Sequence, residues 1–124
     1  MLHAHLVLTP KYRRGVFDAT LLATTERVMS EVCADFGVTL VEFNGEDDHV
    51  HLLIEYPPTV QLSRLVNSLK GVSARVLRRD HARRIRKFLW GNHFWSPSYF
   101  VGSVGGAPLD ILRTYIEGQR TPTA

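Results

Sequence analysis

The chain has only one cysteine, Cys33, among its 124 residues. A single thiol closes no internal disulfide, so a stapled secreted scaffold is excluded and stability must come from packing. Long apolar runs are missing as well: none approaches the roughly 18 residues of a membrane span. The opening stretch MLHAHLVLTPKYRR places its basic cluster after its apolar one, the reverse of a secretory signal. There is no repeat, low-complexity tract or linker to divide the chain. Composition is otherwise ordinary, at 44% hydrophobic, 22% charged and 10% aromatic, which excludes a disordered chain and a coiled coil. The expectation is a single domain over residues 1–124, soluble and cytoplasmic, with no membrane partner.

Net charge is scarce too, only +3, a weak hint of an anionic partner. Its distribution says more. Residues 15–63 carry nine acids and one base, Arg27. Residues 64–87 carry one acid, Asp80, and nine bases: Arg64, Lys70, Arg75, Arg78, Arg79, Arg83, Arg84, Arg86 and Lys87. Lys11, Arg13 and Arg14 add a second cluster. A solvated helix face is the plain reading of a basic helix. Segregation this sharp also suits a phosphate backbone, which arginine grips through its planar fork. Trp90, His93, Phe94 and Trp95 follow and are of the type that stacks on bases, although Phe94 and Trp95 fit a core or dimer contact better.

Periodicity orders the chain. Leu2, Ala4, Leu6 and Leu8 alternate with polar partners up to Pro10, a strand pattern. Asp18 reads as the N-cap of a helix that runs to Phe36 and is closed by Gly37. Val38–Asn44 and His49–Tyr56 read as strands joined by the polar loop GEDD, a hairpin. Leu62, Leu65, Val66, Leu69, Val72 and Val76–Leu77 mark a second amphipathic helix, with Gly71 inside it. The stretch from Arg78 to Lys87 fits either a continued helix or a loop. Tyr99–Val104 reads as a fourth strand, and Pro108–Gln119 as a last helix. This β-α-β-β-α-β order predicts an α+β, ferredoxin-like sandwich, an antiparallel sheet with helices on one face. Such a fold serves many functions.

The triplet His49-Val50-His51 is the strongest chemical signal. Residues i and i+2 of a strand share a face, so both imidazoles project together while Val50, Leu52 and Ile54 face a core. Two imidazoles on one rigid strand make half of a divalent-metal site. A second His-x-His, His3-Ala4-His5, lies on the first strand, and spacing alone does not say which pair binds metal. Asp47 and Asp48 precede the first pair, where a carboxylate can orient an imidazole; they serve equally as a solvated loop. Near the end, Tyr115 and Gln119 are four apart and share one edge of the helix. Tyr115 fits a boundary residue with its hydroxyl in water, or a nucleophile. A phenol with a pKa of about 10 needs help from a metal or base to attack a phosphodiester. A glutamine oxygen combined with imidazoles suits Mg or Mn, and residue type alone also admits Zn. Tyr12, Tyr56 and Tyr99 compete for the nucleophile's role.

Read together, His49-Val50-His51 with Leu52-Leu53 and Tyr115-Ile116-Glu117-x-Gln119 resemble the single-tyrosine HUH transposases of the smallest bacterial insertion sequences, REP-associated relatives included. His5-Leu6-Val7, Lys11-Tyr12-Arg13-Arg14, Leu69-Lys70-Gly71-x-Ser73 and the block from Phe94 to Val101 agree in order, so the resemblance runs from His5 to Gln119. The lead-in Asn44-Gly45-Glu46-Asp47-Asp48 departs from it, being longer and more acidic.

The resemblance implies a metal-dependent enzyme that cuts and rejoins single-stranded DNA through a 5′-phosphotyrosine. Tyr115 would be its nucleophile, with His49, His51 and Gln119 holding Mg or Mn. It further implies hairpin-ended DNA as substrate and a homodimer in which Tyr115 acts in trans on a mobile helix over residues 107–120. Gly102, Gly105 and Gly106 would be its hinge, or simply a strand-to-helix turn. DNA contacts fall to Lys11, Arg13, Arg14, Lys70, Arg75, Arg78, Arg79, Arg83 and Arg84. Two alternatives stand beside this reading. One is an HUH nuclease serving replication initiation or repeat processing. The other is a ferredoxin-like module that binds nucleic acid without cutting it.

Overall fold

A computed structural model describes residues 1–89 and 91–103. Trp90, Gly105, Gly106 and the expected terminal helix Pro108–Gln119, with its 107–120 mobile segment, lie outside the described residues. In chain order the elements are β1 (Leu2–Leu8), a 3₁₀ turn (Lys11–Arg13), α1 (Ala19–Asp35), β2 (Thr39–Glu46), β3 (His49–Tyr56), α2 (Leu62–Asp80), α3 (Ala82–Phe88) and β4 (Phe100–Ser103). The strands form one sheet in the order β2-β3-β1-β4, with every neighbouring pair antiparallel. This is the expected α+β arrangement.

Local chemistry sets the boundaries. Asp18 Oδ1 accepts the Leu21 N–H at 2.8 Å and starts α1. Gly37, at φ +70°, ends it. There the Val38 N–H reaches Cys33 O at 2.8 Å and the Gly37 N–H reaches Ala34 O at 3.0 Å, the paired bonds of a left-handed helix stop. Strand β2 runs further than the alternation indicates. Gly45 and Glu46 pair with Val50 and His49, so the expected four-residue loop shrinks to the turn Asp47–Asp48. Helix α2 passes through Gly71, where an added Cβ would meet nothing within 4 Å, so that glycine breaks nothing. The basic stretch 78–87 is helical apart from one interruption at His81.

One face of the sheet supplies Ala4, Leu6, Leu8, Val50, Leu52 and Ile54 to a single core. Leu21, Val28 and Met29 of α1 and Leu65, Val66 and Leu69 of α2 close over them. Both helices therefore cover the same side. Phe94 and Trp95 join this core, as their residue type suggests, and no described helix is long and apolar enough to cross a membrane.

Cys33 is fully buried in that core, and burial pushes its thiol from 9.0 up to about 11. That shift alone leaves about a hundredfold less thiolate at pH 8. We expect Cys33 to resist a thiol reagent in the native protein and to react promptly in denaturant. Equal rates in both states would contradict this packing.

Candidate metal and nucleic-acid site

The helix-free face of the sheet carries the histidines. β1 and β3 pair with Leu6 opposite Leu52 and Val7 opposite His51. Since successive side chains alternate, Leu6 and Leu52 go to the core while His3, His5, His49 and His51 share the other face. Asn44 and Glu46 of β2 lie directly opposite His51 and His49 and so belong to this face, as does Phe100 of β4, opposite Val7. Tyr56 has the core parity and is buried. Tyr99 packs against the core with Lys70 Nζ 5.2 Å from its ring centre. Tyr12 is 74% exposed. Of these competing tyrosines, the two buried or packed ones are turned from the histidines.

The two His-x-His pairs are held differently. His3 Nε2 sits 3.2 Å from Glu55 Oε2, towards the far end of β3. His5 turns instead to His51, with Nε2 3.0 Å from Nδ1 and the two rings stacked at 14°. His49 Nδ1 lies 2.7 Å from Asp48 Oδ1, and the His49 and His51 ring centres are 4.7 Å apart. In both His49 and His51 Nδ1 is thus engaged by a neighbour, which leaves Nε2 as the atom that could coordinate a cation. Among the described residues no three His, Cys, Asp or Glu side chains form a metal-holding group. Both Tyr115 and Gln119 lie outside the described residues.

Burial alone would raise the Asp48 carboxyl, but the hydrogen bond from His49 and the charge of Arg13 outweigh it and hold it below the usual carboxylate value. Burial pushes His5 below the ordinary histidine value, which keeps that ring neutral at neutral pH.

The motifs that were separate in sequence meet next to this pair. Arg13 Nη2 donates to Asp48 Oδ2 at 3.1 Å, linking the Lys11–Arg14 segment to His49. The Lys11 N–H donates to Phe94 O at 2.9 Å and the Ser96 N–H to Thr9 O at 2.8 Å, zipping that segment to the aromatic block. Lys70 Nζ donates to Ser96 O at 2.7 Å, and Trp95 Nε1 donates to Ser73 Oγ at 2.9 Å. Tyr12 and Arg13 adopt φ of 61° and 50°, a left-handed conformation that costs non-glycine residues roughly 1–2 kcal/mol each. Strain of this kind is kept where surrounding contacts fix it.

The basic residues divide into two kinds. Arg13, Arg14, Arg75, Arg79 and Arg83 are exposed, whereas Lys11, Lys70, Arg78 and Arg84 are partly covered. Lys70 holds the backbone at Ser96, and Arg84 Nε donates to Val16 O at 2.8 Å and lies 3.3 Å from Asp18. Gly102 sits inside β4 opposite His5, where an added Cβ would come within 3.1 Å of the Phe100 ring. Sequence reasoning missed Asn44, Glu46 and Phe100 as members of the histidine face. Strand parity would have found the first two had β2 been extended past Asn44.

A helix-backed antiparallel α+β sheet with paired histidines on its open face defines the architecture, one that hosts many functions. The profile of the IS200-like transposase family matches residues 1–119, and the chain belongs to that family. It is 30% identical to the ISDra2 transposase TnpA of Deinococcus radiodurans over 118 residues, covering 95% of this chain and 84% of that protein. It is 32% identical over 116 residues to the transposase for insertion sequence element IS200 of Salmonella typhimurium, covering 93% and 74%. A crystal structure from D. radiodurans R1 ascribed to a transposase superposes with TM-score 0.75 at 28% identity, covering 97% of this chain and 92% of that one. A REP-associated tyrosine transposase bound to a REP hairpin shares the fold with TM-score 0.65 at 13% identity, covering 93% and 62%.

Ser73 is completely buried and answers the indole N–H of Trp95. Ser73→Ala leaves that donor unpaired, and we expect it to cost about 1–3 kcal/mol in urea unfolding. A loss under about 0.5 kcal/mol, the size of an ordinary surface change, would deny the bond a structural role.

Proposed function

We propose that this chain cleaves single-stranded DNA at the ends of an insertion element and rejoins it through a 5′-phosphotyrosine on Tyr115. His49, His51 and Gln119 would hold the divalent cation, Mg or Mn. The observation that supports this most is the pair of engaged Nδ1 atoms, Asp48 against His49 and His5 against His51. A ligating histidine ordinarily has its other nitrogen held in this way, and the donor set of two imidazoles and an amide oxygen fits Mg or Mn. When bound, the cation would polarise the phosphate and offset developing charge.

The remaining work belongs to the chain. The Tyr115 oxygen forms a bond to phosphorus as the P–O3′ bond breaks, and the departing oxygen takes up a proton as a 3′-hydroxyl. The phosphoester is conserved, so a later attack by a 3′-hydroxyl on phosphorus releases Tyr115 and reseals DNA without ATP. Arg13, Arg14, Arg75, Arg79 and Arg83, with the partly covered Lys11 and Arg78, supply phosphate contacts. Lys70 and Arg84 contribute by holding backbone. The hairpin held by the REP-associated relative supports hairpin-ended DNA as substrate. In this reading Tyr115 acts in trans within a cytoplasmic homodimer.

The decisive experiment incubates the protein with Mn and end-labelled single-stranded hairpin DNA from the host element's own ends. A covalent protein–DNA band that survives denaturation is expected for wild type and not for Tyr115→Phe. His49→Ala and His51→Ala should also abolish cleavage while still binding DNA, whereas His3→Ala should be milder. No adduct across the panel would favour a binding module instead.

The trans arrangement has its own test. Mixed His49→Ala and Tyr115→Phe subunits are each inactive alone, but their heterodimer holds one intact composite site. Restored cleavage is expected; none from confirmed heterodimers would place Tyr115 in cis.

A further inference from the structure

We propose that His5 is a positioning residue for the cation site: its Nε2 accepts the His51 Nδ1–H and so fixes the ring and tautomer in which His51 can coordinate. The inference rests on the reading of His49 and His51 as metal ligands and deepens it.

The geometry leaves two choices. One proton lies between His5 Nε2 and His51 Nδ1, 3.0 Å apart. If His5 carried it, a neutral His51 would bear its own proton on Nε2 and have no lone pair there for a cation. If His51 carries it, Nε2 has that lone pair, and a neutral His5 must bear its proton on Nδ1. Coordination by His51 therefore dictates the tautomers of two rings.

The fold makes the partnership rigid. Val7 pairs with His51 and Leu53 with His5, which sets the two histidines on a diagonal between adjacent strands, within reach of side chains of this length. The rings stack at 14° with centres 5.3 Å apart, and Phe100 meets His5 edge-on at 5.9 Å. His5 and His51 are only 1% and 3% exposed. Burial also accounts for the kind of partner each ligand has. His49, near the hairpin turn, is held by Asp48, whose side chain is 28% exposed. A carboxylate in the position of His5 would be desolvated at high cost, while a neutral imidazole offers an acceptor lone pair without that penalty. His5 thus serves His51.

The test uses the full chain. In ¹⁵N-histidine NMR of the Mg-saturated protein, His51 should be protonated at Nδ1, with His5 also protonated at Nδ1 and unprotonated at Nε2. Calorimetric Mn titration of His5→Leu should show affinity weakened about 10–100-fold. His5→Gln, whose Oε1 lies as many bonds from Cα as the histidine Nε2, should recover most of it. A proton found on His5 Nε2, or Mn affinity within about twofold of wild type in folded His5→Leu, would overturn the inference. Because His51→Ala is titrated alongside, the two failures separate. Loss with His51→Ala but not His5→Leu removes the role of His5 alone. A wild-type chain that binds no Mn removes the metal reading itself.

Discussion

The register between β1 and β3 is the constraint on which the rest depends. Leu6 against Leu52 and Val7 against His51 send Ala4, Leu6 and Leu8 of β1 and Val50, Leu52 and Ile54 of β3 to the helices and the histidines to the opposite face. A slip of one residue would exchange the faces. It would bury polar imidazoles under α1 and expose Leu6, Leu8 and Leu52, all now completely inaccessible. At roughly 1.5–3 kcal/mol per large apolar side chain, the core enforces that register. The histidine geometry is thus stabilised by side chains that never touch it.

Around this pairing, pieces scattered through the sequence become one support. Lys70 and Ser73 of α2 hold the backbone and indole of the Trp95–Ser96 segment. The stretch from Phe94 to Ser96 pairs with Thr9 and Lys11. Arg13 then reaches Asp48, and Asp48 reaches His49. Each link is a single bond of ordinary strength, about 1 kcal/mol net, yet the series fixes a turn in which Tyr12 and Arg13 are strained. The strain is affordable because the segment is tied at both ends, to Phe94 and to Asp48. One consequence is an Arg13 side chain spent partly on orienting a carboxylate.

Much of this was legible before the structure. Alternation placed β1 and β3 and their faces. Asp18 and Gly37 bracketed α1, because a side-chain cap and a left-handed glycine leave local signatures. The hairpin was legible but its turn was not, since Gly45 and Glu46 resemble loop residues until Val50 and His49 pair with them. The contact between the two His-x-His pairs was also beyond sequence. It is a diagonal contact of residues 46 apart in the chain, and strand spacing is blind to cross-strand offset. Lys70 and Arg84 show a related limit: a basic residue's charge is visible in sequence, but the carbonyl that it reaches is not.

Charge gains a direction once the sheet is in place. The nine bases of residues 64–87 lie on α2, α3 and their junction, which belong to the helix layer, and the histidines lie across the sheet from it. The two are not remote everywhere. Arg84 ties α3 to Val16 and Asp18, and the Phe17 N–H donates to Asp47 O at 3.0 Å. Those contacts bring the start of α3 to the sheet end that carries the Asp47–Asp48 turn, the strained Lys11–Arg13 segment and His49. Arg13 and Arg14 are exposed at this end. The small net charge of the chain conceals a basic helix layer on one side of the sheet and, at this end of the other side, an imidazole backed by a carboxylate.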